Sequence, residues 1–201
     1  MRGKLIVFEG ISGTGKETQA KLLQQHLASR KIPSIIVYHP SPELKTILSG
    51  WRKKRHIDNI SEAYFLLADR YDRVRQIIKP ALEKGEWVVC IRNWISALVY
   101  QAKTKSDRVY LQKEFGWFEP EPDRLFFFDI TPGEAMKRIE KRHEGTGEPL
   151  GYFETKEHLY EKRKQYDLVL KTIPHVRIDA SQSAETIHRT IRKGIVRLAK
   201  R

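Results

Sequence analysis

Cysteine is almost absent: Cys90 is the only one in 201 residues. No intramolecular disulfide and no cysteine-based structural zinc site can therefore form, as fits a reducing compartment. Long hydrophobic runs are missing too, since no stretch of 18 apolar residues occurs, and Met1-Arg2-Gly3-Lys4 leads into a short apolar segment without a cleavable leader pattern. A cytoplasmic protein with no membrane partner is the expectation. There is no internal repeat, low-complexity tract or linker. With 40% hydrophobic residues the chain can bury one sizeable core, so a single domain over residues 1–201 is expected.

Acidic residues are the scarcer charge, 25 Asp and Glu against 38 Lys and Arg, which leaves a formal net charge of +13. Such an excess suits nucleic acid, anionic lipid or a polyphosphate ligand. Apart from a knot at Arg52-Lys53-Lys54-Arg55-His56 and a diffuse set from Arg189 to Arg201, the basic residues are spread along the chain. Spread charge reads as a solvated surface, and nucleic acid is not the expected partner.

Five short apolar runs stand out: Leu5-Ile6-Val7-Phe8, Ile35-Ile36-Val37-Tyr38, Trp87-Val88-Val89-Cys90-Ile91, Leu125-Phe126-Phe127-Phe128 and His175-Val176-Arg177-Ile178. Strands this continuously apolar are covered on both faces, which calls for a parallel sheet between helices, an α/β class. Helices are expected at about 15–30, 60–84, 133–142, 155–172 and 184–200, with further ones after Ser41, Trp94 and Ser106. The glycines and proline of His143 to Gly151 mark that stretch as an insert without regular structure. Cys90 and the pair Trp117-Phe118 are assigned to packing.

The richest local signal is Gly10-Ile11-Ser12-Gly13-Thr14-Gly15-Lys16, placed after a strand ending at Phe8-Glu9 and before a helix. Glycines at 10, 13 and 15 let successive N–H groups turn inward as an anion nest at the positive end of that helix, while Lys16 reaches the β- and γ-phosphates. This is a P-loop, and ATP is the expected ligand. The residue after the lysine, in most such loops a Ser or Thr that binds Mg²⁺, is Glu17, with Thr18 next. Water in place of the hydroxyl, an outward Glu17, or Thr18 as substitute all remain open, and no residue is assigned as a metal ligand.

With further segments in order, the chain resembles the thymidylate kinase family of nucleoside-monophosphate kinases. The segments are Phe8-Glu9-Gly10 to Thr18-Gln19, Ala68-Asp69-Arg70, Ile77 to Gly85, Arg92, Ser96, Tyr100-Gln101, Pro122-Asp123, Asp129 to Arg142, and Ile178 to Ser183. The resemblance implies a three-layer P-loop fold with a five-stranded parallel sheet of order 2-3-1-4-5, and a lid at about 143–153. It also implies ATP and Mg²⁺ as cofactors, dTMP as acceptor and a homodimer. It assigns Arg92 to the acceptor phosphate, Arg70 to the acceptor base, Tyr100 and Gln101 to the nucleoside pocket, and the loop of Ala180 and Ser181 to the neighbourhood of the adenine. Glu9 and Ser96 fall on the acceptor side. Arg138 and Arg142, four apart on one helix face, are candidate lid arginines for the transferring phosphoryl group.

The chain departs from the family pattern at acceptor positions. Ser12 and Ile91 stand where acids are common, and Tyr38-His39-Pro40-Ser41-Pro42 stands where an arginine is common. Leu66 takes the place of an aromatic four before Arg70, with Phe65 one position off. His39 or an arginine of the 52–55 knot is a candidate for the missing positive charge. Two other readings stay open: a P-loop kinase of another small acceptor, such as a deoxynucleoside or another pyrimidine monophosphate, and a nucleotide-binding protein without transfer activity.

Overall fold

Each apolar run becomes a strand. The structure, a computed structural model, describes residues 2–54, 57–147, 150–196 and 198. Its strands are β1 (Leu5–Glu9), β2 (Ser34–Tyr38), β3 (Trp87–Ile91), β4 (Arg124–Asp129) and β5 (Val176–Asp179). They pair in parallel in the order β2-β3-β1-β4-β5, as the resemblance implied. β1 and β3 are buried along their whole length, because helices cover both faces of the sheet. Phe8, Phe126 and Phe128 form the aromatic centre, with ring centroids 5.8 and 5.0 Å from Phe8. Among the described residues no helix is long and apolar enough to cross a membrane.

The helices are α1 (Lys16–Ser29), α2 (Pro42–Lys54), α3 (Asn59–Arg73), α4 (Lys79–Glu83), α5 (Trp94–Tyr100), α6 (Lys105–Gly116), α7 (Pro132–Thr146), α8 (Lys156–Val169) and α9 (Ala184–Ile195). Local caps start many of them: Asp58, Asn93, Thr104, Thr131, Thr155 and Ser183 each accept an N–H of the first turn of α3 and α5 to α9 respectively.

Two helices depart from expectation. The helix expected at 60–84 is interrupted by a π turn over Val74–Ile78. Pro80 has no N–H for the carbonyl one turn back and its ring crowds that carbonyl, so the backbone widens just before it. The insert expected from His143 is helical for one more turn: α7 runs through Thr146 and ends at Gly147, whose φ of 69° and N–H to the His143 carbonyl (2.8 Å) make a left-handed cap. Glu148 and Pro149, in the middle of the expected lid, lie outside the described residues, as do Arg55 and His56 of the basic knot and most of the residues after Val196. The helix expected at 155–172 ends as α8 at Val169, followed by a 3-10 turn over Leu170–Thr172.

Carboxylates fix the strand ends. Asp123 accepts the Leu5 amide at 2.9 Å and lies 3.4 Å from Lys4 Nζ, tying the start of β1 to β4. Asp129, at the end of β4, receives Arg163 of α8 at 2.8 and 3.2 Å and Arg177 of β5 at 2.6 Å. That pins the register of α8 against the carboxyl edge of the sheet, where ligands of such folds bind. Removing the central ring should be severe: Phe8→Ala is expected to cost about 3–5 kcal/mol, seen as a lower urea midpoint at unchanged slope.

Candidate functional site

The loop between β1 and α1 is shaped by glycine. Gly10, Gly13 and Gly15 have φ of 144°, 80° and 83°. A Cβ on Gly10 would lie 2.5 Å from the Phe128 carbonyl oxygen, and one on Gly13 2.6 Å from that of Ala135. β4 and α7 thus press on the loop so closely that only glycine fits. α1 begins at Gly15 with no side-chain cap, which leaves its first N–H groups for an anion. Lys16 is 6% exposed, and its Nζ donates to the Ile11 carbonyl at 2.7 Å and to Thr14 Oγ1 at 2.9 Å. Burial first, and Arg92 next, pull its pKa well below the usual lysine range, against the opposing pull of Glu9, Glu17 and Glu154. A buried ammonium held only by neutral oxygens is costly, and a polyphosphate is the counter-charge such a nest accepts.

Glu17 and Thr18 are both exposed on the first turn of α1. Among the described residues no three His, Cys, Asp or Glu side chains stand together as a metal site. Mg²⁺ in nucleotide sites is held largely by substrate phosphates and water with one or two protein oxygens, which the exposed Glu17 and Thr18 leave room for.

Across from Lys16, Glu9 organises the second anion position. It is fully buried, and its two oxygens accept the Asn93 amide at 2.8 Å, Ser96 Oγ at 2.8 Å and Tyr166 Oη at 2.7 Å. Burial, then the Glu9 carboxylate, push the Tyr166 phenol well above its usual range, so it stays a donor. Arg92 follows β3 with φ of 69°, a left-handed conformation costing a non-glycine residue about 1–3 kcal/mol, and its amide is held by the Phe8 carbonyl at 2.9 Å. That bend turns the guanidinium over the edge of the sheet. It donates to Ser96 Oγ (3.0 Å), Tyr166 Oη (2.9 Å) and Tyr100 Oη (3.3 Å), all neutral.

Beside these groups opens a cavity of about 380 Å³ between α2, α3, α5, α8 and the segment before α8. Its polar wall is a relay. Gln101 Nε2 donates to Glu62 Oε1 at 2.7 Å, and Arg52 makes a two-pronged ion pair with the same carboxylate, Nε to Oε2 at 3.0 Å. The Arg52 guanidinium also lies 4.7 Å from the Phe153 ring centroid. Tyr100 completes the wall, its ring 5.0 Å from that of Phe153.

Several sequence-derived candidates sit elsewhere. Arg70 is fully buried, with Nε 2.8 Å from Glu119 Oε2, Nη2 on the other oxygen, and both Nη atoms 3.8 Å from Cys90 Sγ. Its donors turn into the core under β3, away from the cavity wall. His39 is 3% exposed beside Phe115, its Nδ1 3.4 Å from Asp69 Oδ2 and its Nε2 without a partner. Burial lowers its pKa and Asp69 opposes this without reversing it, so His39 is a neutral interior ring and supplies no positive charge. Phe65 is 41% exposed and packs on Trp51, whereas Leu66 is buried on the same inward face of α3 as Glu62 and Arg70. Ile91, where an acid was looked for, is a buried strand end.

The lid side brings together what the sequence kept apart. Arg142 Nη2 reaches Glu154 Oε2 at 2.8 Å, and the same oxygen accepts the Gly151 amide at 2.9 Å. Ser12 lies close enough to that carboxylate to help hold its pKa down. Arg138 Nη2 lies 3.4 Å from the Ser181 carbonyl, Ala180 N donates to the Asp129 carbonyl at 2.8 Å, and Gln19 Nε2 holds the Ala184 carbonyl at 2.8 Å. These bonds bring the β5–α9 loop to the start of α1. Glu62, Glu154 and Tyr166 were not singled out from the sequence. Glu62 and Tyr166 sit within helix patterns that read as amphipathic faces, and Glu154 follows a loop whose return point no local pattern announces.

The comparisons with known proteins agree with this geometry. A family model described as thymidylate kinase matches residues 8–191. The thymidylate kinase of Desulfotalea psychrophila is 31% identical over 98% of this chain and 96% of its own length. The probable thymidylate kinase of Methanosarcina acetivorans is 33% identical over 100% and 99%, and that of Pyrococcus horikoshii 34% over 95% of each.

His39 generates a pH test. Its folded pKa lies below the unfolded value of about 6.5, so the unfolded chain takes up the proton first and stability falls as the pH drops through that value. His26 and His188, lowered chiefly by burial, act in the same direction. Urea midpoints should fall between about pH 7 and pH 5, with a shallower fall in His39→Gln.

Proposed function

Because the chain belongs to the thymidylate kinase family, we propose that it transfers the γ-phosphoryl group of ATP to a nucleoside monophosphate, dTMP in the first place, giving ADP and dTDP. The observation that carries this reading is the pairing of a buried lysine with a half-buried arginine at one sheet edge. Arg92 is close enough to disfavour the charge on Lys16, and each is hydrogen-bonded only to neutral oxygens. Two phosphate groups, one from each substrate, supply the anions.

In the reaction an oxygen of the acceptor phosphate attacks the γ-phosphorus while the bond from that phosphorus to the β-bridging oxygen breaks. The protein's part is positioning and charge. The loop amides and Lys16 hold the β- and γ-phosphates, Arg92 orients the acceptor phosphate, and Arg138 and Arg142 reach the transferring group from the lid. Glu9 keeps Arg92, Ser96 and Tyr166 in one arrangement. Mg²⁺, usual for such kinases, is proposed to arrive on the phosphates and their waters, given the exposed Glu17 and Thr18. The base and sugar are proposed to lie in the cavity of Tyr100, Gln101 and Glu62, and Ala180 and Ser181 beside the adenine.

Arg70, engaged with Glu119, favours a second reading in which another pyrimidine monophosphate or a deoxynucleoside is the acceptor. An ADP-release assay across dTMP, dUMP, dCMP, the purine monophosphates and thymidine separates the two. ATP binding without any stimulated release would leave only a nucleotide-binding protein. We also place the protein in the cytoplasm, as one catalytic domain that forms a homodimer. The exposed Tyr64, Phe65, Val109 and Tyr110 on α3 and α6 give a second copy an apolar face. Light scattering should return twice the 23.6 kDa chain mass, and a monomer at assay concentration refutes the dimer.

Lys16→Ala is expected to lower kcat by about 10²-fold or more, since it removes charge at the transferring group. Arg92→Ala is expected to raise the acceptor KM about tenfold or more and leave that of ATP near wild type. Wild-type turnover in Lys16→Ala would sink the mechanism.

A further inference from the structure

Resting on the monophosphate-kinase reading, we propose that Lys162 binds the acceptor's phosphate alongside Arg92, supplying the positive charge that the segment after β2 lacks. Lys162 lies on α8 in the cavity wall and is only 8% exposed. Its Nζ is 5.7 Å from the centroid of the Tyr100 ring, and the Arg92 guanidinium carbon is 5.0 Å from the same ring. Two cations therefore share one aromatic neighbour, an arrangement stabilised by the ring's electrons but opposed by mutual repulsion.

The nearby acids compensate the two cations unequally. Glu9 favours the charge on Arg92 from a distance while its oxygens bond Asn93, Ser96 and Tyr166, and Glu62 is paired with Arg52 and bonded by Gln101. Among the described residues, the acid that touches Lys162 is its chain neighbour Glu161, at 3.1 Å with a side chain 56% exposed, where water weakens the pairing. Tyr166, one turn along the same helix face, holds Arg92 by its hydroxyl at 2.9 Å, so α8 aims both Lys162 and the grip on Arg92 at one point. Arg163, between them in sequence, anchors α8 to Asp129 and fixes that aim.

A buried lysine with such thin compensation is a poor structural element and a good phosphate contact. His39, the residue nearest in sequence to the missing arginine, is neutral and interior. Lys162, by contrast, lines the cavity itself.

The test compares ligands with and without the phosphate. Lys162→Met keeps the apolar stem and removes the charge. The expected result is an acceptor Kd and KM for dTMP raised about ten- to a hundredfold, with the KM for ATP and the inhibition constant of thymidine unchanged, and with most of the loss restored in Lys162→Arg. Urea unfolding of both variants shows whether the fold is retained, and Lys162→Arg carries the test if Lys162→Met does not fold. Equal weakening of dTMP and thymidine, or no change in either, overturns the proposal while the kinase reading stands. If the wild type uses no monophosphate at all, the kinase reading fails and this proposal with it.

Discussion

Positive charge buried at the carboxyl edge of a parallel sheet is the constraint on which the rest of this structure depends. Lys16 and Lys162 are buried and Arg92 half-buried, held by carbonyls, hydroxyls and an aromatic ring, with Glu161 as the one carboxylate bonded to Lys162 among the described residues. Strand-end carboxylates and helix caps hold the frame around them, and phosphate, the ligand proposed above, would supply the negative charge they lack.

The carboxylates divide the work. Glu9 holds the side chains that hold Arg92, Glu62 sets the polar wall of the cavity through Arg52 and Gln101, and Glu154 joins the segment before α8 to Arg142 of α7. None of them is free to act as a strong base, which agrees with phosphoryl transfer by positioning and charge. Glu119 does something different. By taking Arg70 into the core beside Cys90 it turns a residue looked for at the acceptor base into a support for β3.

The departures from the family pattern are met in different ways. Near Ser12 the Glu154 carboxylate pairs with Arg142, and with no arginine after β2 the cavity wall carries Arg52 and Lys162. His39 occupies that segment as an interior ring beside Asp69.

The strands, their parallel class and the phosphate loop were legible in the sequence because each is encoded locally. Continuous apolar runs require burial on both faces, and Gly10, Gly13 and Gly15 take backbone angles that other residues resist. The short helices α2, α5 and α6 were legible too, whereas the π turn before Pro80 was not, because the apolar pattern runs through it unchanged. The partners of the charged side chains were not legible. Arg70 facing Glu119, 49 positions away, and Glu9 facing Tyr166, 157 away, are contacts between segments whose proximity only the folded sheet and its helices create. A charge carries no local mark of where its counterpart lies, so tertiary structure alone decided that Arg70 meets a carboxylate in the core while Arg92 meets only hydroxyls at the sheet edge.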